Sequence, residues 1–589
     1  MGAPPSDNSI VKPPTHANPC AAEIAAAVAA VVGARPEDVK IDQPPNRELG
    51  DFAVPAFPLL KLAGGGPPPA LAARIAAELP RAGLIVDATA TGPFVNVKVD
   101  RVRAIAMAID AAVGRAPLVP DQGQGAVVCI DYSSPNISKH LAYHHIRSTM
   151  LGHALVEIFT ALGYRVVRIN HLGDWGTTHG MLLAAYQRWG AEYPTIDVTA
   201  LNDLYVRYRA AMKEEPGLDA EARAWFKRLE DGDADARARW QQFRDTSLAE
   251  FRKVYDLLGV AFDDERGESF YEDKMPEILE LLAARGLLEE SEGAQVVKIP
   301  GDKTPLLIKT GDGTTLYATR DLAAALYRQR TYGFARSLYV VDRGQGLHFK
   351  QLFACLGLLG FDWASRCQHV PFGLVRFGGK KTSTRGAAGG ATGGRFLLTD
   401  VIAEAVDAVR PKIVEKNADM APADLEAVAH TVGVGAVVFA NVVPQRDKDV
   451  DFDMDKVTSL SGDSGPYLQY TLARCWNIER KGGETVDGPA DWALLRHDAE
   501  WAVARKLLEF GEHVARAAVN CEPHVVAHYL LDLAGEFSRW YTLGNDDPPL
   551  RVLCEDPDLR RARLALVHAV KRVLTRGLAI LGLGEVTRM

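Results

Sequence analysis

Two stretches of this 589-residue chain gather side chains suited to phosphate chemistry. The first, DYSSPNISKHLAYHHIRSTMLGHAL, begins at Asp131 and places Lys139, His140, His144 and His145 just ahead of an apolar stripe at helical spacing (Ile146, Met150, Leu151, Leu155, Ile158, Phe159). A helix N-terminus offers unpaired backbone N–H groups and a partial positive charge, both of which suit phosphate. The lysine and histidines add side-chain donors at that point. Asp131, Ser133, Ser134 and Asn136 precede them, at a strand's C-terminal edge where a second substrate could sit. Taken alone, the loop also suits a helix cap with a histidine cluster of no catalytic meaning. The second stretch, GGKKTSTRGAAGG, carries Lys381, Ser383, Thr384 and Arg385 among glycines. A mobile loop bearing a lysine can close over phosphate and stabilise charge that develops in a transition state. A flexible surface loop is the alternative reading of that stretch.

The first stretch needs a rigid scaffold, and its flanks supply one. AVVCIDY (126–132) is a short apolar, β-branched run, as a buried parallel strand requires. A helix is predicted from about His144 to Leu162, Gly163 ends it, and YRVVRIN supplies a second strand. In a doubly wound sheet the loop after the first strand of such a unit binds nucleotides. Upstream, an Ala-rich helix and the alternating strand GPFVNVKVD form a separate α+β unit, followed by a Pro/Gly-rich linker over 116–125. Residues 200–260 read as charged helices, and nearly everything beyond about residue 400 as amphipathic helix. The fold class expected is therefore multidomain α/β and α. A disordered tail over 1–18 leads into a small α+β domain over 19–115. A Rossmann-like parallel-sheet domain with helical insertions follows over 126–430, and an all-helical domain over 431–589.

Composition narrows the function classes. With 47% hydrophobic and 24% charged residues the chain is ordinary for a soluble globular protein. It has no unbroken apolar window of about eighteen residues, so no membrane association is expected. The start lacks the apolar core of a signal peptide, and none of the seven cysteines forms a CxxC pair. A cytoplasmic protein is expected. A net charge of −8 argues against coating DNA but leaves room for a folded RNA met by local basic surface. Tyr467, Tyr470 and Arg474 fall on one helical face, where two aromatics and a cation suit unpaired bases and phosphate. LRRARLALVHAVKRVLTRG adds Arg560, Arg561, Arg563, Lys571, Arg572 and Arg576 with no acid among them. For each of these, a buried aromatic stripe or a solvated face remains the other reading.

These motifs resemble, in order along the chain, those of the arginyl-tRNA synthetase family of class I synthetases. The family's SPN-x-x-K-x-x-H-x-G-H-x-R-S-T is matched at Ser134, Pro135, Asn136, Lys139, His145, Arg147, Ser148 and Thr149, whereas Ala142 replaces the first histidine and His144 the glycine. KTSTR is similar to the family's K-M-S-T-R. INHLGDWGTTHG, DGTTLYATRDLAAALYR, YVVDRGQGLHFKQLF, SGPYLQYTLARCWNIER, RELGDFAVPAFPLLK and the ending LGLGEVTRM extend the resemblance. It implies a monomer that binds ATP, L-arginine and tRNA(Arg), with magnesium accompanying ATP and no metal held by the protein. Lys139, His145, Lys381 and Ser383 would be catalytic, and His140, His144, Thr384 and Arg385 would join them at ATP. His140 or His144 would supply the donor lost at Ala142. Asp131, Ser133, Asn136, Tyr317, Asp321 and Gln345 would hold arginine, because a five-donor planar guanidinium needs carboxylate and carbonyl acceptors. Tyr467, Tyr470, Arg474 and Met589 would meet tRNA. Competing expectations are a synthetase that serves a different acceptor and a non-catalytic tRNA-binding protein.

Overall fold

The computed structural model describes residues 16–46, 48–310, 317–377, 380–381, 397–483 and 490–589, with backbone alone at 380–381. Residues 1–15 of the tail expected over 1–18, and Ser383, Thr384 and Arg385, lie outside the described residues. Asn18 belongs to the folded chain. It is 2% exposed and caps the helix Pro19–Val32 by accepting from the backbone N–H of Cys20 and Ala21.

The predicted strand–helix–strand unit is present as Val127–Asp131, His145–Ala161 and Arg165–Ile169. Its strands belong to a four-stranded parallel sheet in the order Cys367–His369, Arg336–Tyr339, Val127–Asp131, Arg165–Ile169. Val128, Cys129 and Ile130 are fully buried in the central strand, which is why that run shows no polar alternation. The charged stretch near 200–260 forms the helices Val198–Ala211, Gly217–Glu230 and Ala234–Leu258, which pack with Thr177–Trp189. They bury a separate core on Trp175, Leu204, Tyr208, Phe226 and Phe243. The charged helices expected there thus form a small bundle with its own core.

In the N-terminal unit, helices lie against an antiparallel sheet in the order Phe52–Pro55, Phe94–Val99, Ile85–Thr91. Asp51 joins it to the C-terminal half. Its Oδ1 accepts from Trp501 Nε1 at 2.8 Å and meets Arg101 at 3.2 Å.

Beyond residue 400 the chain is helical as expected, with one exception that matters. Val450–Phe452 forms a strand parallel to Val375–Phe377, which also pairs antiparallel with Lys380–Lys381. A three-residue strand gives no periodic signal against a helical background. Two of the residues expected on a basic RNA surface are also placed elsewhere. Arg563 is buried, 2.6 Å from the buried Glu500, and donates to the carbonyls of Pro549 and Arg551. Lys571 is buried between Glu479 and the Trp476 ring. The acids that claim them lie on other helices, so the local sequence shows cations without partners.

Arg147, in the motif helix, is fully buried and donates to the carbonyls of Asn441 (3.1 Å), Gln445 (3.2 Å), Arg446 (3.0 Å) and Lys448 (3.0 Å). Asn441 Nδ2 reciprocates on the Tyr143 hydroxyl at 3.0 Å. Removing the guanidinium orphans buried acceptors, each costing about 1–3 kcal/mol. Arg147→Met is therefore expected to lower the apparent Tm by roughly 5 °C or more, and Arg147→Lys, with a single cationic centre, to recover only part of it. A differential scanning fluorimetry trace unchanged in Arg147→Met would refute this role.

Candidate active site

Past Asp131 the backbone enters the left-handed region at Ser133 (φ 66°) and Ser134 (φ 46°), and again at Ser138 (φ 66°). For side chains other than glycine each such turn costs of order 1 kcal/mol and persists only when braced. The braces come from the motif itself. Ser133 N–H donates to Ser148 Oγ at 3.0 Å, and Ser148 Oγ donates to the Val340 carbonyl at 2.8 Å. Thr149 Oγ1 lies 2.9 Å from Ser133 Oγ, which is in turn 2.9 Å from the Tyr255 hydroxyl. Ser134 N–H donates to Asn170 Oδ1 at 3.1 Å. Asn136, exposed in the next turn, lies so close to Gly173 that any Cβ at 173 would collide with its Oδ1.

A cavity of about 280 Å³ opens beside this loop, lined by His144, His145, Ser134, Asp342, Phe372 and Val375 among others. The two imidazoles lie 4.0 Å apart, tilted by 36°. His145 Nδ1 lies 3.0 Å from the Ala142 backbone nitrogen and 3.1 Å from the Ala142 carbonyl oxygen, which ties the ring to the start of the helix. Burial, with the neighbouring His144, pushes His145 down to about 3, and burial with Lys139 lowers His144. At neutral pH both present uncharged N–H donors. His140 points elsewhere: its Nε2 is 3.1 Å from Thr199 Oγ1 and its Nδ1 3.6 Å from Glu250, both in the helical insertion. Of the two histidines expected to replace the donor lost at Ala142, the structure puts only His144 against the cavity. Lys139 stands over the ring of Tyr205, 5.1 Å from its centroid. Lys381 ends the two-residue strand that leads to the second loop.

A second group forms around the helix Tyr317–Tyr332. Asp321 Oδ2 is 2.6 Å from His348 Nε2, and its Oδ1 is 3.7 Å from His171 Nε2. Burial would raise this carboxyl, but the two imidazoles outweigh burial and hold it well below the usual carboxylate range. Burial opposes charge on His171 and His348 too, and Asp321 wins there, raising both. Glu268, 3.1 Å from Arg320 Nε, is pushed up to about 7, mainly by burial. Asp131 is already engaged: Arg328, 1% exposed, meets it at 2.8 Å, and Ser134 Oγ donates to it at 2.7 Å. Tyr317 (67% exposed) and Gln345 are both exposed to solvent. Sequence reading missed His171, His348, Glu268 and Arg328. They lie on separate elements with no shared spacing, although His171, Arg328 and His348 fall inside stretches that carried the resemblance.

On the helix Gly465–Gly482, Arg474 lies between two rings, 5.0 Å from the Tyr470 centroid and 4.8 Å from that of Tyr541. Tyr467 reaches Ser538 at 3.4 Å, and Met589 packs in the cluster that includes Tyr470. The four residues expected at RNA are thus near neighbours, and Tyr541 is an addition that sequence spacing could not give.

Three family models match. That for the class I (R) tRNA synthetase catalytic domain spans residues 112–454, that for the DALR anticodon binding domain 468–589, and that for the arginyl tRNA synthetase N-terminal domain 19–99. An arginine--tRNA ligase of Streptococcus thermophilus is 43% identical over 550 residues, covering 92% of this chain and 94% of the relative. One from Streptococcus pyogenes is 42% identical over 96% of this chain and 99% of its own length. The Thermus thermophilus arginyl-tRNA synthetase superposes with a TM-score of 0.82 at 26% identity, over 97% of this chain and all of that one. The Plasmodium falciparum enzyme shares the fold at a TM-score of 0.80 and 22% identity. By motifs, architecture and these likenesses together, the chain belongs to the arginyl-tRNA synthetase family.

Proposed function

We propose that the chain activates L-arginine with magnesium-bound ATP and transfers the arginyl group to tRNA(Arg). The observation that carries this is a single shared residue. Ser134 lines the cavity with His144 and His145, donates to Asp131, and accepts at 3.1 Å from the N–H of His171, whose ring faces Asp321. A phosphate-binding helix start and a carboxylate pocket for a cation are thereby built on the same turn.

In the first step the arginine carboxylate attacks the α-phosphate of ATP and pyrophosphate leaves. In the second the terminal ribose hydroxyl of tRNA takes the acyl group. The protein's contribution is orientation and electrostatic stabilisation, with no covalent enzyme intermediate. His144 and His145 donate uncharged hydrogen bonds to phosphate. Lys139, with Lys381, Ser383, Thr384 and Arg385 from the second loop, answers the developing negative charge. Asp321, with Glu268 beside it, takes the guanidinium against Tyr317. Ser133, Asn136 and Gln345 serve the α-amino and carboxylate end, and Asp131 contributes there through a charge it shares with Arg328. Tyr467, Tyr470, Arg474 and Met589 hold unpaired tRNA bases. The domain division at about residues 115 and 430 assigns the N-terminal unit to tRNA, and the working form is a cytoplasmic monomer. Magnesium arrives with the nucleotide as substrate.

Three measurements test this reading. Purified protein is expected to attach labelled arginine, but neither lysine nor citrulline, to tRNA(Arg) in an ATP-dependent way; absence of arginyl-tRNA would sink the proposal. His144→Ala is expected to slow ATP–pyrophosphate exchange by about tenfold while His140→Ala stays near wild type, and the reverse order would assign the donor to His140. The third concerns pH. Below their raised pKa values His171 and His348 are cations that compete with arginine for Asp321, so substrate binding releases protons. KM for arginine is therefore expected to fall as pH rises past the ordinary imidazole value of 6.5, and His348→Gln to flatten that profile; a wild-type KM independent of pH from 6 to 8 would contradict it.

A further inference from the structure

We infer that Tyr205, on a helix that carries none of the nucleotide motifs, is a positioning residue for Lys139. The inference rests on the reading that Lys139 serves the phosphates of ATP. The backbone that delivers Lys139 is fixed from the insertion side. Ser138 N–H donates to the buried Ser247 Oγ at 2.8 Å, His140 is held by Thr199 and lies near Glu250, and Gly173 N–H donates to the Pro135 carbonyl at 3.0 Å. None of these contacts fixes the lysine's own four-carbon stem, which retains about 2 kcal/mol of rotamer entropy when free.

What meets the ammonium is the face of Tyr205, 5.1 Å from Nζ to the ring centroid. Arg209 also approaches this ring, with its Cζ 5.9 Å from the centroid, a contact that Phe at 205 would retain. Among the described residues no carboxylate lies within ion-pair distance of Lys139. That difference decides the function. A carboxylate would neutralise the lysine and resist its release, whereas a π-face holds a cation loosely and leaves its charge available to phosphate. The charge already reaches the cavity: after burial, Lys139 is a further cause of the lowered protonation of both His144 and His145. The helix Val198–Ala211 therefore acts on the reaction through one aromatic ring.

The test uses the full-length protein with arginine and tRNA present. Tyr205→Leu is expected to lower kcat for ATP–pyrophosphate exchange about threefold to tenfold, with KM for arginine unchanged, while Tyr205→Phe keeps the ring and the rate. A second readout is acylation of Lys139 by an amine-reactive ester, followed by peptide mass analysis. Lys139 should react faster in Tyr205→Leu than in wild type or Tyr205→Phe, with the exposed Lys213 unchanged as internal reference. Equal losses in the Leu and Phe variants, or unaltered Lys139 reactivity in Tyr205→Leu, would overturn the inference. If Lys139→Ala leaves exchange intact, the phosphate role of Lys139 itself falls, a result separable from any effect at Tyr205.

Discussion

The guanidinium of Arg147 is bound by four main-chain carbonyls and by no carboxylate that lies within its hydrogen-bond reach among the described residues. A planar fork with five N–H donors can serve all four acceptors, whereas an ammonium has only three donors. The acceptors all lie between Asn441 and Lys448, whereas Arg147 sits in the first turn of the helix that lines the cavity. Burying a cation is costly unless its donors are used, so the segment after the helix Pro422–Val442 is obliged to wrap this side chain. The position of the motif helix relative to the helical half follows from that one requirement.

With the helix fixed, the serine turn can store strain without dissipating it. Ser148 and Thr149 leave Arg147's side of the helix and brace Ser133, and Ser134 then links cavity to carboxylate pocket. The electrostatics divide accordingly. The histidines at the helix start stay neutral, because burial opposes their charge. The nearby positive charge resides on the half-buried Lys139. In the carboxylate pocket the order is reversed, since Asp321 remains ionised because two imidazoles face it. One turn of chain thus separates an environment that rejects charge from one that retains it.

The sequence was legible where physics is local. The Val127–Asp131 strand, the His145–Ala161 helix and the Arg165–Ile169 strand follow from hydrophobic period and a terminating Gly163, and Tyr317 and Asp321 do share a helix. The motif resemblance supplied the candidate residues, and Ser134 links the cavity of His144 and His145 to His171, which faces Asp321. What stayed hidden depends on long-range pairing. His140 and His144 are equivalent on paper, and only the insertion bundle separates them by capturing the first. Arg563 and Lys571 look like a basic surface until Glu500 and Glu479 arrive from other helices. Glu268 becomes chemically distinctive through burial, which no spacing encodes.

The short strand Val450–Phe452 carries the last consequence. It pairs with Val375–Phe377, whose other edge receives Lys380–Lys381. Phe377 and Phe452 also close on Tyr143, with ring centroids 5.0 Å and 4.9 Å away. Along the chain the same strand leads, through Met454–Val457, to the helix that bears Tyr467, Tyr470 and Arg474. Packed cores shift between discrete arrangements rather than deforming smoothly. A displacement of the helix Gly465–Gly482 that is transmitted along the chain to Val450–Phe452 would either break this three-stranded sheet or move it as a unit. Moving it as a unit would carry Lys380–Lys381, and with them the aromatic contact to Tyr143. The helix bearing Tyr467, Tyr470 and Arg474 and the strand that ends at Lys381 are in this way joined through a few residues of backbone pairing.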